Sequence, residues 1–316
     1  AEDLEFWRKE LSGAPTLLEL PADRPRPAEQ KPDGGTVTFE VPDSLVADVR
    51  RLANTAETTA FAVLLAAFQS LLHRLSGQSD LLVAVPVSGR TRPETGQVVG
   101  FFANTVALRA RFEERTTFAE VLEAARASSV AAQTRQDAPF EQVVDLLAPQ
   151  RSLAYTPLVQ VMFALEEQPA PSTAAGLRIA PRIRENGKVK FDLTPTIEQR
   201  SEEFTGRVTY RRDLFDAERI ERIVNQYLAL LSAAVAAPET AVSELPLLTT
   251  AQLQAVQAHW RSAELSPPRY DSLAELLQHS LPADSDAMAV AAGTDSVTYQ
   301  ELAADSNRLA HLLRRH

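Results

Sequence analysis

Apolar residues recur at two spacings along this chain, and the switches between them mark out its elements. An acidic amphipathic opening around Phe6, Trp7 and Leu11, a packing anchor, gives way at Gly13-Ala14-Pro15 to a connector carrying Pro21, Pro25, Pro27 and Pro32. Proline fixes φ and removes a backbone donor, so this connector is predicted to run extended over a surface. Val37, Phe39 and Val41 then alternate as a strand, and a helix from Asp43 carries Leu45, Val49 and Leu52. A longer helix over about 58–75 sets Phe61, Leu64, Leu65, Phe68, Leu71, Leu72 and Leu75 on one core-facing stripe. The unbroken run 81–85 suits a strand buried on both faces, whereas 104–112 alternates cleanly and should keep one face wet.

Helices around 117–134 and 140–148 follow, the second opened by Pro139 at a first-turn position. Val159, Val161, Phe163 and Leu165 predict a strand, as do Val189, Phe191, Leu193 and Ile197. Val208 and Tyr210 mark another before Asp216, expected to cap a long helix through Ile220, Val224, Tyr227 and Leu231. Strands mixed with long helices, without one-to-one alternation, indicate an α+β layer rather than a doubly wound sheet. A stretch of lower order over about 249–269, ending in Ser266-Pro267-Pro268, reads as an interdomain linker. A new unit starts at Ser272, where Ser272 and Glu275 match a capping box, and Thr298 with Glu301 makes another before Leu302, Leu309, Leu312 and Leu313.

Composition narrows the classes. A net charge of -10 over 316 residues argues against a sequence-independent nucleic-acid binder, which needs clustered Lys and Arg. Cys is 0, which removes disulfides, thiolate metal sites and thiol nucleophiles and fits a reducing cytosol. The apolar stretch 60–72 is interrupted by Gln69 and Ser70 and falls short of the roughly 20 residues that span a bilayer, so no membrane partner is expected. The five histidines are scattered without metal-ligand spacing, and no glycine-rich phosphate loop is present. The chain starts without Met and stops within a helical pattern, so both ends read as cuts in a longer polypeptide.

Three motifs carry the functional signal: Val99-Gly100-Phe101-Phe102-Ala103-Asn104-Thr105, Gln136-Asp137-Ala138-Pro139-Phe140-Glu141 and Arg151-Ser152-Leu153-Ala154-Tyr155-Thr156-Pro157-Leu158. In this order and at these separations they resemble the condensation domains of nonribosomal peptide synthetases. Lys190-Phe191-Asp192-Leu193-Thr194 and Leu247-Leu248-Thr249 sit where that family has similar words. Ala103, Arg135 and Ser152 depart from its usual residues. The family's His-His-x-x-x-Asp-Gly motif lies upstream of these three, and no two histidines adjoin here.

The resemblance implies the carboxyl-terminal lobe of a chloramphenicol-acetyltransferase-like two-lobed domain, a mixed sheet with flanking helices, over 1–250. Residues 251–270 are then the linker. The tail resembles the first motif of adenylation domains in Thr298, Tyr299, Glu301 and Leu302, so 271–316 is expected to begin such a domain. The implied activity is amide formation between donor and acceptor thioesters held on carrier domains by phosphopantetheine arms, no cofactor being bound directly. Implied partners are the upstream and downstream peptidyl carriers, the amino-terminal lobe and the adenylation domain. Without that lobe the fragment should be inactive and carry no catalytic residue or metal of its own. Docking of carrier and adenylation domains without catalysis is an alternative, as is another acyltransferase of the same fold.

The residues that this resemblance places at the tunnel or between lobes are Arg90, Gly100, Phe102, Asn104, Thr105, Gln136, Asp137 and Arg151. Arg90 is either the partner of the aspartate in the absent histidine motif or a solvated turn arginine. Asn104 either lines the tunnel, where it can bind a pantetheine amide or the loop backbone, or satisfies its own turn. Asp137 reads as a cap for the following helix, and Lys190 with Asp192 as an exposed pair.

Overall fold

The computed structural model describes residues 2–147, 152–168, 172–174, 177–179, 186–200, 203–262, 272, 275–276, 279 and 286–315. It divides into two compact units, Ala1–Leu253 and Gln254–His316.

In the first unit the order is α1 (Glu2–Glu10), β1 (Gly34–Glu40), α2 (Asp43–Thr55), α3 (Ala60–Ser76), β2 (Asp80–Val87), β3 (Asn104–Arg111), α4 (Phe118–Thr134), α5 (Phe140–Leu147), β4 (Ala164–Glu167), β5 (Ser172–Ala174), β6 (Leu177–Ile179), β7 (Leu193–Arg200), β8 (Glu203–Arg211) and α6 (Ala217–Ala236). Helix α7 (Thr250–Ser262) crosses the boundary between the units. One sheet has the order β1-β8-β7-β4, parallel only between β4 and β7. An antiparallel pair, β2 with β3, joins it through single parallel bridges, Ala84 to Met162 and Val161 to Leu193. The result is the expected mixed α+β layer.

Helix α3 is the centre of the core. Thr59 accepts the Ala62 amide at its start, and Gly77 ends it at φ +72, a left-handed position that suits glycine. Every residue from 62 to 72 is buried, so the helix is enclosed on all sides. Phe68 stacks on Phe163 at 5.5 Å between centroids, and the Tyr227 hydroxyl of α6 donates to the Leu64 carbonyl at 3.1 Å. Burial holds that phenol neutral, pushing its pKa well above the ordinary tyrosine value. Trp7 is buried as the anchor of α1, its indole N–H donating to the Arg135 carbonyl at 3.1 Å.

The proline-rich connector is tied down at its polar points. Buried Gln160 accepts the Leu18 amide at 2.7 Å and donates to Thr16 and Thr156 carbonyls. Asp192 overturns the expected exposed pair with Lys190. It is 3% exposed, paired with Arg26 and 3.8 Å from Arg211, which is itself 2% exposed. Phe191 is also buried, so the chain at 190–192 does not alternate as a surface strand.

Three further expectations are corrected. The runs 159–165 and 189–197 are buried in part, with Lys190 exposed, and ladder pairing begins only at Ala164 and Leu193; before these points Val161 and Met162 make isolated bridges, while Val189 and Asp192 donate single backbone hydrogen bonds to Pro32 and Gln160. Asp216 occupies the cap position of α6, but its carboxylate turns to Arg24 and makes no cap bond. The supposed low-order stretch from 249 holds helix α7. Thr249 and Gln252 exchange side-chain and amide bonds at 2.9 and 3.3 Å, a capping box that starts it.

In the second unit, β9 (Met288–Ala292) and β10 (Asp295–Thr298) form an antiparallel hairpin turned at Gly293, and α8 (Tyr299–Leu313) follows directly. Thr298 and Glu301 cap α8 reciprocally, as the sequence predicts. Ser272 accepts the Glu275 amide at 3.2 Å, while its neighbours 273–274 lie outside the described residues.

Candidate functional site

Residues 88–103 leave β2 and return to β3, and the chain reversal depends on Gly89. Its φ is +64, and a Cβ there would meet the Phe102 carbonyl oxygen, so only glycine allows this approach. Arg90 folds back over the same loop. Its guanidinium lies 4.4 Å from the Phe102 ring centroid, donates to the Thr95 carbonyl and reaches the Gly100 carbonyl at 3.5 Å. Within this chain Arg90 is thus a half-buried loop tie, not a free turn arginine.

Asn104 joins two of the motifs. From the first position of β3, its side-chain amide donates to the Gln136 and Ala138 carbonyls, both at 2.7 Å. Its Oδ1 accepts the Phe140 amide at 3.2 Å, which satisfies one of the N–H groups at the start of α5. Asn104 therefore binds a distant loop rather than its own turn, and its hydrogen-bonding groups are engaged. The capping role expected of Asp137 falls to Asn104. Asp137 instead accepts the Thr91 hydroxyl at 3.3 Å, linking this loop to the one after β2.

A cavity of about 390 Å³ lies between these loops. Phe102, Asn104, Thr105, Gln136 and Asp137, five of the residues singled out in the sequence, line it. Arg90 and Gly100 sit in the loop that forms one lip, and Arg151 lies outside the described residues. Gly89, Phe140 and Lys190 also line it and were not foreseen as site residues; a glycine following Pro-Val-Ser at a strand end was the available signal for the first.

The described lining offers amide, carboxylate, ammonium and aromatic groups but no imidazole. His73 packs flat against Phe112 at 4.3 Å with Nδ1 2.8 Å from the Gln78 carbonyl, which makes it a packed core-edge residue. Among the described residues no cluster of three or more His, Asp or Glu is placed to hold a metal. A larger cavity, about 430 Å³, opens at the opposite end of β3 beside Arg111 and Arg115 and contains none of the motif residues. Beside the motif cleft, Val99 is 100% and Phe101 93% exposed, an unusual display of apolar surface.

The condensation-domain family matches residues 1–256. A linear gramicidin synthase from Brevibacillus parabrevis is 38% identical over 317 residues, and phosphinothricin tripeptide synthetase PhsB of Streptomyces viridochromogenes 41% over 322. Each alignment covers 99% of this chain, which spans 6% of the first relative and 27% of the second. A solved four-domain nonribosomal peptide synthetase bound to AMP and glycine matches 100% of this chain and 25% of its own, with a TM-score of 0.78 and 26% identity. The first condensation domain of the CDA synthetase shares the fold, at a TM-score of 0.65 and 18% identity over 78% of this chain and 54% of that one. Matched by the family model through the whole of its first compact unit, the chain belongs to the condensation domains of nonribosomal peptide synthetases.

Proposed function

We propose that residues 1–250 are the carboxyl-terminal lobe of a condensation domain that joins a donor acyl or peptidyl thioester to an acceptor aminoacyl thioester. The observation that carries this reading is the meeting of two separate motifs on one cleft through Asn104. In the reaction the acceptor amine attacks the donor carbonyl; the C–N bond forms, the C–S bond breaks, and the thiol leaves with a proton. Carrier domains upstream and downstream supply both reactants on phosphopantetheine arms. Aminolysis of a thioester is downhill, so holding the two ends together supplies much of the acceleration.

The proton-handling imidazole belongs, in this reading, to an amino-terminal lobe bearing His-His-x-x-x-Asp-Gly. Two observations support such a lobe. Val99 and Phe101 stand bare beside the cleft, as surface awaiting cover does. The chain also spans only about half of the solved condensation domains it resembles, 54% of one and 58% of another. Arg90 is then available to exchange its loop carbonyls for the aspartate of that motif.

Residues 271–316 are, in the same proposal, the start of an adenylation domain, with Thr298, Tyr299, Glu301 and Leu302 opening its first motif. Matches to condensation domains solved alone cover 76–78% of this chain, whereas the four-domain synthetase covers 100%. The exposed leucines of α8, Leu302, Leu309, Leu312 and Leu313, suit burial under the remainder of such a domain. No single described helix is long and apolar enough to cross a membrane, and we place the parent synthetase in the cytosol.

The test is reconstitution. The chain is mixed with donor- and acceptor-loaded carrier proteins, with and without an amino-terminal lobe bearing the motif, and product is read by mass spectrometry. Amide appearing only with the lobe is the expected result. Turnover by the chain alone, or none with the lobe present, overturns the proposal.

A further inference from the structure

The sheet contains a break whose cause is visible in the sequence. Ala84 of β2 donates to the Val161 carbonyl at 3.0 Å and accepts the Phe163 amide at 2.9 Å, one full parallel step. The next residue of β2 facing the same neighbour is Pro86, which has no N–H to donate, so the ladder cannot take a second step there. Beyond this point β2 pairs with β3 alone, from Val85 with Val106 to Val87 with Asn104, and β4 pairs with β7 alone. The two parallel strands part at their carboxyl ends.

The gap is a wedge of about 220 Å³. Phe61, Val87, Leu108 and Leu165 give it apolar walls, while the small residues Ala132 and Ala164 leave it unfilled. Its polar groups come from α4. Ser129 donates its hydroxyl proton to the Ala125 carbonyl at 2.6 Å and presents only lone pairs, and Gln133 is exposed at the rim. Val87, which lines the wedge, is the register partner of Asn104, which lines the motif cleft, so the two spaces flank one residue pair.

We propose that this wedge receives the apolar side chain of an aminoacyl group presented in the cleft, with room for a branched aliphatic or phenyl group. The proposal rests on the reaction assigned above. Donor and acceptor aminoacyl groups share this chemistry, and a free against an acylated amine separates them.

All the lining residues belong to the first unit, so the wedge is complete in this chain and binding can be read without turnover. The probes are stable amide analogues of leucyl-pantetheine and N-acetyl-leucyl-pantetheine, each against its glycyl counterpart, titrated into the methyl-labelled full chain and followed by NMR. A leucyl analogue is expected to bind at least about tenfold more tightly than its glycyl counterpart, the low end of what even one methylene is worth in an apolar pocket. The Val87, Leu108 and Leu165 methyls should shift. A preference in the free-amine pair assigns the wedge to the acceptor, and one in the N-acetyl pair assigns it to the donor. Ser129→Phe, filling the wedge, and Gln133→Trp, covering its exposed rim, should each remove most of the preference while keeping the wild-type unfolding temperature. Equal binding of leucyl and glycyl analogues, no methyl shifts, or a preference surviving in both folded variants overturns the proposal. Failure of amide formation in the reconstituted system instead bears on the reaction, leaving this binding result to stand or fall separately.

Discussion

Replacing Asn104 by Ala removes three hydrogen bonds at once: two donated at 2.7 Å to the Gln136 and Ala138 carbonyls and one accepted at 3.2 Å from the Phe140 amide. Each such bond is worth about 1 kcal/mol net, and water reaches this half-buried side chain in part, so a loss of about 2 kcal/mol is expected. With a urea slope of about 3 kcal/mol/M, the midpoint should fall by about 0.7 M. The loss is local, so the Phe140 amide should exchange with solvent about 5- to 30-fold faster, the factor that corresponds to 1–2 kcal/mol. Asn104→Asp separates the contributions. It keeps an acceptor for Phe140 but sets a carboxylate against two carbonyl oxygens, and it should lose at least as much stability as Ala. If the Phe140 amide exchanges at the wild-type rate in the Ala variant and the midpoint does not move, the clamp between the two motifs is not what orders this cleft.

Gly89→Ala adds a Cβ against the Phe102 carbonyl at a positive φ; it should destabilise by at least about 1 kcal/mol and raise proteolytic sensitivity within 88–103, measured by limited digestion. Asp192→Ala leaves Arg26 and the buried Arg211 without their shared carboxylate, and denaturation should show a loss of about 3 kcal/mol or more. Burial opposes ionisation of Asp213, but hydrogen bonds from Arg211 and the Lys31 amide outweigh it and hold the carboxyl below its ordinary value of 3.8. A depressed carboxylate contributes stability above its unfolded pKa and loses it as pH falls through the folded value, so Asp213→Asn should show a shallower decline below pH 3.8 than wild type in urea titrations.

Much of this architecture is legible from spacing alone. The unbroken run in β2 predicted a strand buried on both faces; the stripe on α3 predicted only one core-facing side, whereas the helix is enclosed all round with Gln69 and Ser70 buried among its apolar residues. Asp192 was misjudged too. A lone carboxylate between apolar residues looks like a solvated face, and its partners Arg26 and Arg211 are far away in sequence. Helix α7 was missed although Thr249 and Gln252 spell its capping box, since the prolines at 267–268 suggested a linker throughout. The motifs located the cleft, but not how it is held. That Asn104 clamps residues 136–140 is a long-range pairing that no local pattern encodes. Likewise, the strand read over 81–85 extends through Pro86 to Val87, and the wedge at Pro86 depends on which neighbour that residue faces.

The central claim is that the two described motifs form one face that receives a second lobe carrying the imidazole. Hydrogen–deuterium exchange of the chain with and without that lobe tests it most directly. The account predicts that 88–105 and 136–141 become protected together, with little change in α2 or β1 on the far edge of the sheet. Protection of neither segment, or of only one, contradicts it.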